Sequence, residues 1–370
     1  MNLKELSNED LLKLKVKTEN EISKYHNFQL VRKIQLNSAY GAIGNQYFRF
    51  YSTELAEAIT LSGQLIIQYI ANQINSFLND ALGIVGKDFI VASDTDSVYI
   101  NMEDIKNKFC KSKDKIDQIN YIDNICNKIL TPFIEKQFDR LAKSMNAFEN
   151  RIKMEREVIA DKGVWTAKKR YMLNVWDSEG IRYKEPKQKI MGIETTRSST
   201  PEVVRDNLKK AIYIILNGSE KELVQFVESF KKEFFSYPPE KIAFPRSVNG
   251  LKKYYDRDQI YKKSTPIAVK GSLIHNHYLD KLNLTSKYNK IMEGEKIKFL
   301  YLKKPNPLAG FKGDDCVISF NKKLPKEFNV DKFVDYNMQF EKTFLDPLTI
   351  ILNVIGWNHE EVGTLEDLFI

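Results

Sequence analysis

The sequence predicts an α+β protein, and three observations carry that reading. Apolar residues recur at helical spacing through residues 8–79, β-rich runs dominate 88–100 and 151–193, and helix signals return from Thr200 onward. Residues 8–40 read as one long helix. Asn8 can cap it, Glu9 and Asp10 suit its first turn, and no Gly or Pro interrupts it before Gly41. Its first half is rich in Lys and Glu with a thin stripe of Leu11, Leu12, Leu14 and Val16, the pattern of a projecting arm rather than a core helix. A second helix, 53–79, repeats Leu55, Ile59, Gly63, Ile66, Ile70, Ile74 and Phe77, so one side of it packs inward. Phe89-Ile90-Val91-Ala92-Ser93 and Ser97-Val98-Tyr99-Ile100 flank Asp94-Thr95-Asp96 as a hairpin. A helical stretch, 115–145, precedes strands over 151–193 that turn at Ser178-Glu179-Gly180. Thr200-Pro201-Glu202 reads as an N-cap with Pro at the first helical position. Asn217-Gly218-Ser219-Glu220 ends that helix and caps the next, 237–326 is irregular, and a last helix covers roughly 330–355.

A chain of 370 residues has room for two or three domains. Lys and Arg number 57 against 49 Asp and Glu, a net charge of +8. That balance fits an anionic partner, and it serves solubility equally well. The three unclustered cysteines, Cys110, Cys126 and Cys316, exclude a disulfide scaffold and a Cys-rich zinc site. No apolar run approaches the ~20 residues of a membrane span, and the N-terminus lacks an apolar signal core. A cytoplasmic protein without membrane contact is expected.

Three segments carry chemistry. In Lys33-Ile34-Gln35-Leu36-Asn37-Ser38-Ala39-Tyr40-Gly41, the residues Lys33, Asn37 and Tyr40 fall at i, i+4 and i+7, on one helix face. A cation, an amide and an aromatic there suit a phosphate, a base and a sugar, although a solvated face has the same pattern. In an extended Asp94-Thr95-Asp96 the two carboxylates point to one side and converge, which a hard divalent cation such as Mg²⁺ stabilises. Asp-x-Asp is also common in turns, where Asp hydrogen-bonds the backbone. Lys168-Lys169-Arg170-Tyr171 brings three bases into a β-run, suiting a nucleic-acid backbone or an edge strand guarded by Lys.

The order of these segments resembles the C-terminal half of a family B DNA polymerase of the T-even phage type. Arg32 to Asn45 is similar to fingers motif B, with its Lys-x-x-x-Asn-Ser-x-Tyr-Gly core intact, and Phe89 to Tyr99 to palm motif C. Lys168 to Tyr171 resembles the Lys-Lys-Arg-Tyr motif that follows the primer–template minor groove. Lys189-Ile190-Met191-Gly192-Ile193-Glu194 and Ser198-Ser199-Thr200-Pro201 resemble the palm-to-thumb junction. The resemblance implies a long fingers helix (1–48), a palm with an antiparallel sheet covered by helices (49–193), and a mostly helical thumb with a clamp-binding tail (194–370). It implies two Mg²⁺ ions with Asp96 as the shared ligand and Asp94 beside it, and Glu155 or Glu157 tuning the site from behind, Glu157 being preferred. Lys33 would meet the incoming deoxynucleoside triphosphate and protonate pyrophosphate, with Asn37, Tyr40 and Gly41 lining the nascent pair. Lys168, Lys169, Arg170 and Tyr171 would hold primer–template DNA.

The departures from the family pattern shape the expectation. Motif A, Asp-x-x-Ser-Leu-Tyr-Pro, is absent from the sequence, as are the exonuclease and the first fingers helix. Met1 falls about where a fingers hairpin would turn, an exposed tip at which a break is tolerated. The chain is therefore expected to be one subunit of a split polymerase, inactive without an N-terminal chain that carries motif A and the exonuclease. Three rivals are a catalytically incomplete DNA-binding remnant, an interaction protein acting through its long helix, and a metal-dependent nuclease. The final Leu365-Glu366-Asp367-Leu368-Phe369-Ile370 resembles the apolar tail with which T-even-type polymerases bind the sliding clamp, with Leu365, Leu368 and Phe369 as anchors. If phage-encoded, the protein works in the bacterial host cytoplasm.

Overall fold

The computed structural model describes residues 6–308 and 316–361. Chain contacts divide it into two units, Met1–Glu155 and Arg156–Ile370.

The first unit opens with α1 (Asn8–Ile43), 36 residues and about 54 Å of helix at 1.5 Å per residue. Ser7, not Asn8, is its N-cap: the Ser7 Oγ accepts the Asp10 N–H at 3.2 Å, which leaves Asn8 inside the helix. Ser7 is in extended conformation, the backbone a cap requires. No residue of α1 is buried, as its Lys- and Glu-rich pattern predicts. Helix α2 (Thr53–Leu82) is capped by the Ser52 hydroxyl and runs three residues past the predicted end, to a left-handed Gly83. Ile70, Ile74, Leu78 and Leu82 recur every four residues and are its buried line. That line packs with Phe89, Ile105, Leu130, Ile134 and Phe138 into one core. Strands β1 (Ile90–Asp94) and β2 (Ser97–Ile100) form an antiparallel hairpin beside it. Helix α3 (Glu103–Phe109), which the sequence reading did not anticipate, contributes Ile105. Helix α4 (Lys115–Ile125) passes through a π-helical turn, Cys126–Leu130, into α5 (Thr131–Ser144). Phe133 of α5 stacks on Phe77 of α2, ring centroids 4.4 Å apart.

The second unit begins with the antiparallel meander β3 (Val158–Ala167), β4 (Arg170–Ser178) and β5 (Ile181–Met191). β4 is central, and Tyr171 through Val175 are consecutively buried. Helix α6 (Glu202–Asn217) and α7 (Glu220–Phe234) follow. Pro201 is itself the N-cap of α6, without a side-chain cap, because Thr200 lies one residue too early and is buried. Ser219 and Glu222 form a capping box at α7, as the sequence predicts a cap there.

The stretch expected to be irregular holds short elements and one long one: α8 (Pro239–Ile242), β6 (Phe244–Ser247), α9 (Leu251–Tyr254), β7 (Tyr255–Asp256), β8 (Ile260–Tyr261) and α10 (Ile267–Lys281). Helix α10 escapes a periodicity search because its buried positions include Gly271, Ser272 and His275 beside Val269, Leu273, Ile274 and Leu279, so burial does not follow a clean apolar stripe. Gly271 lets α10 approach β10 (Val317–Phe320); a Cβ there would lie 2.5 Å from the Ser319 Oγ. Strand β9 (Lys296–Tyr301) pairs between β10 and β6. Asp335 caps α11 (Tyr336–Phe340) through the Met338 N–H, so the last helical stretch starts later than predicted. A π-helical turn, Glu341–Leu345, joins it to α12 (Asp346–Ile355). Phe230 of α7 packs against Phe340 and Phe344 of that stretch, centroids 5.7 and 4.8 Å away.

Candidate active site

Three side chains of α1 form the first part of the site. Helical spacing sets Lys33 and Asn37 one turn apart, and both line an open groove of about 640 Å³ along α1 with Tyr25, Phe28, Arg32 and Leu36. Arg32 is a second cation in that groove and was not singled out from the sequence; it is one turn beyond Phe28, which is the signal that could have found it. Tyr40 is turned toward α2: its hydroxyl is 3.2 Å from the Thr60 Oγ1, which in turn donates to the Ala56 carbonyl at 2.6 Å. Thr60 is thus a further residue of the site, invisible in sequence because the contact crosses between helices. Gly41 is exposed, and a Cβ there would meet nothing within 4 Å.

The acidic triplet is not extended, and the period-two argument for its convergence does not hold. Asp94 is the last residue of β1 and pairs with Ser97, leaving Thr95 and Asp96 as a two-residue turn. Thr95 has φ +54°, and the Asp96 N–H donates to the Asp94 carbonyl at 2.6 Å. A left-handed first residue is what a tight hairpin turn demands, so the two acids flank a turn rather than alternate along a strand. Thr95 Oγ1 donates to Asp94 Oδ1 at 3.0 Å. Asp96 is exposed. Two carboxylates at a hairpin tip have the hard oxygen donors that a divalent cation takes, but they are too few to enclose one. Among the described residues no cluster of three or more His, Cys, Asp or Glu completes a cage. The donor chemistry of the two acids is that of a hard divalent cation's ligands, and by themselves they do not complete a site for one. Glu155 is exposed at the end of the first unit. Glu157, in the second, takes the Lys189 ammonium at 2.6 Å, bridging β3's approach to β5.

The basic segment is a hairpin tip, not a run of bases along a strand. Ala167 pairs with Arg170, so Lys168 and Lys169 are the two turn residues, both exposed, and Lys169 is left-handed at φ +62°. Arg170 faces inward and grips Glu194 with two hydrogen bonds from Nη2, of 3.0 and 2.8 Å. Tyr171 is buried, with Trp165 6.1 Å away between centroids. Gly192 explains why this tip and the following segment belong together. It has φ +67°, and a Cβ on it would lie 2.1 Å from the Lys169 carbonyl oxygen. The anchors Leu365, Leu368 and Phe369 lie outside the described residues.

The chain thus carries, in order, a cation–amide row on a long exposed helix, an acidic hairpin tip and a basic hairpin tip. A family model described as DNA polymerase family B matches residues 8–129, which include α1, α2 and the acidic hairpin. The DNA-directed DNA polymerase of Enterobacteria phage T4 is 36% identical over 354 residues, covering 92% of this chain and 38% of the relative. That of Escherichia phage RB69 is 35% identical over 355 residues, with the same coverages. A DNA polymerase of Pyrococcus glycovorans is 24% identical over 280 residues, 75% of this chain and 29% of the relative. The chain belongs to DNA polymerase family B. It corresponds to a portion of a polymerase of the T4 type, spanning 38% of the length of each phage relative. Among the described residues no helix is long and apolar enough to cross a membrane.

Proposed function

We propose that this chain is the subunit of a split DNA-directed DNA polymerase that supplies motif B, motif C and the thumb, and that a second polypeptide supplies motif A and the exonuclease. The observation that carries the reading is that one unit holds both the Lys33–Asn37 groove and the Asp94–Asp96 hairpin tip, in a chain matched by the family B polymerase model. In this reading residues 1–48 are fingers, 49–193 palm and 194–370 thumb. The need for a partner has physical support. Leu12, Ile22, Tyr25, Phe28 and Leu36 of α1 are exposed, Leu36 by 76%, and a helix without tertiary burial is marginal in water. The acidic hairpin is two-stranded, and two strands alone form a weak sheet.

Asp96, with Asp94 beside it, holds one side of the magnesium site, and the motif A carboxylate closes the other. Bound magnesium ions would activate the primer hydroxyl and neutralise the triphosphate. Lys33 and Arg32 bind the triphosphate, and the Lys33 ammonium is a proton donor for departing pyrophosphate. Tyr40, held by Thr60, and Asn37 bound the nascent base pair, with the helix turn at Gly41 beside them. Glu157, or else Glu155, tunes the site. Lys168 and Lys169 meet the duplex backbone, presented by Arg170 and Tyr171 from beneath. Leu365, Leu368 and Phe369 dock on a sliding clamp. The setting is phage replication in the bacterial cytoplasm, a placement that rests on the phage relatives.

The test is primer extension with rigorously purified chain, alone and co-expressed with the polypeptide that carries motif A. The chain alone binds primer–template weakly and incorporates nothing; the pair incorporates. In the pair Asp96→Ala abolishes incorporation and leaves DNA affinity unchanged or slightly raised. Lys33→Ala lowers the catalytic rate and weakens nucleotide binding. Incorporation by the chain alone would reject the split reading, and near-normal turnover of Asp96→Ala would reject the metal assignment.

A further inference from the structure

The acidic hairpin is irregular where it starts. Ile90 pairs with Ile100 but Ala92 pairs with Tyr99, so Val91 is an extra residue and the register shifts by one between them. A one-residue shift in a ladder turns side chains to the opposite face, so this hairpin needs an outside reference to fix which way Asp94 points. Helix α2 supplies one. The Asn75 Oδ1 accepts the Phe89 N–H at 2.8 Å, and its Nδ2 donates to Asp88 Oδ1 at 2.8 Å. That same Asp88 oxygen accepts the Ile90 N–H at 2.9 Å. One turn along α2, Asn79 Oδ1 accepts the Lys87 N–H at 3.0 Å and its Nδ2 donates to the Lys87 carbonyl at 2.8 Å. The Phe89 carbonyl accepts the Asn101 N–H at 2.8 Å, and the Phe89 ring is buried in the core that α2 builds.

We infer that Asn75 and Asn79 are positioning residues for the polymerase reaction: their carboxamides stand in for a neighbouring strand, lock the register of β1, and thereby aim Asp94 and Asp96. The inference rests on the reading of those two acids as magnesium ligands. A carboxamide is suited to the task because, like a peptide group, it offers one acceptor and donors in one plane. Asn75 and Asn79 lie four residues apart, on one face of α2, as the four successive residues Lys87 to Ile90 require. From Phe89 the strand runs five residues to Asp94, about 17 Å, so the clamp acts through the strand and touches no reacting atom.

Two measurements test it. In the full chain, hydrogen exchange is read over residues 87–94 for Asn75→Ala and Asn79→Ala. Each loses protection there by about tenfold, the effect of orphaning a backbone group, with exchange in α10 unchanged. In the complete polymerase, the magnesium concentration for half-maximal primer extension rises about tenfold in Asn75→Ala, while KM for nucleotide stays within about twofold. Asn75→Asp, which keeps an acceptor for Phe89 but sets a second carboxylate against Asp88, loosens the segment at least as much as Asn75→Ala. Leu78→Val, a core change on the same helix, lowers thermal stability without moving the magnesium requirement. Unchanged exchange over 87–94 overturns the clamp. Loosened exchange with an unmoved magnesium requirement overturns its role in aiming the acids. Full activity of Asp96→Ala would instead overturn the site reading, and is told apart because the exchange result does not depend on it.

Discussion

At the residue scale, side chains adjacent in sequence do opposite jobs. Lys168 and Lys169 are exposed at a turn, whereas Arg170 is engaged by Glu194 and Tyr171 is buried. Lys169→Ala is accordingly expected to weaken primer–template binding at every sequence and to reduce the slope of log affinity against log salt by about one, as loss of a phosphate contact does. Arg170→Ala is expected to destabilise the fold by roughly 2 kcal/mol, since it leaves the largely buried Glu194 with one fewer hydrogen-bonded cation. Salt-dependent binding and thermal melts on both variants separate the two effects. An equal salt slope for both would reject the division of labour. The charge of this four-residue segment is legible in the sequence. Which of its members face solvent is not, because a strand alternates faces but a two-residue turn does not.

At the element scale, turns and helix ends decide where chemistry sits. The acidic and basic hairpins each turn on a left-handed non-glycine residue, Thr95 and Lys169. The second depends on Gly192, whose missing Cβ makes room for the Lys169 carbonyl. Gly192→Ala combines a left-handed backbone with a direct clash against main chain, so a loss of about 3 kcal/mol and a fall in melting temperature of about 10 °C are expected. A melt within about 2 °C of the parent would show that the tip moves aside cheaply. The extents of α1, α2 and α6 are legible in local sequence, whereas the capping residues of α1 and α6 are not: Ser7 caps α1 in place of Asn8, and Pro201 stands at the start of α6 without a side-chain cap. Helix α10 is not legible in this way, because polar and small residues such as Ser272, His275 and Gly271 share its buried positions and blur the stripe.

At the scale of the whole molecule, charge and burial couple the fold to pH. His275 of α10 is 2% exposed, and burial pushes its imidazole down to about 4 from an ordinary value of 6.5. The unfolded chain therefore binds a proton that the folded chain refuses. Stability on this account is full above about pH 6.5, declines as pH falls, and levels off below about 4, a total change of about 3 kcal/mol. Urea melts of the parent and of His275→Gln over that range check it: the variant loses the dependence. A parent whose stability is flat between those values would refute it. The tail is tested at the same scale, in the complete enzyme with its clamp. Deleting Leu365 to Ile370 is expected to spare distributive synthesis and remove clamp-stimulated processivity, and equal stimulation with and without the tail would reject docking.

Residue identity and spacing by themselves determined the α+β class, the two long helices, the acidic hairpin and the family, because caps, periodicity and ordered motifs are local properties of the chain. Family membership was then carried by relatives over 92% of its length. Only the tertiary structure decided that Tyr40 leans on Thr60, that Arg170 closes on Glu194, and that two asparagines of α2 hold the strand leading to Asp94. Those contacts join residues 8 to 24 positions apart and cross between separate elements. No period or motif encodes such pairs: they exist only once packing of separate elements, Ile74 and Leu78 against Phe89 among them, has brought the polar groups within reach.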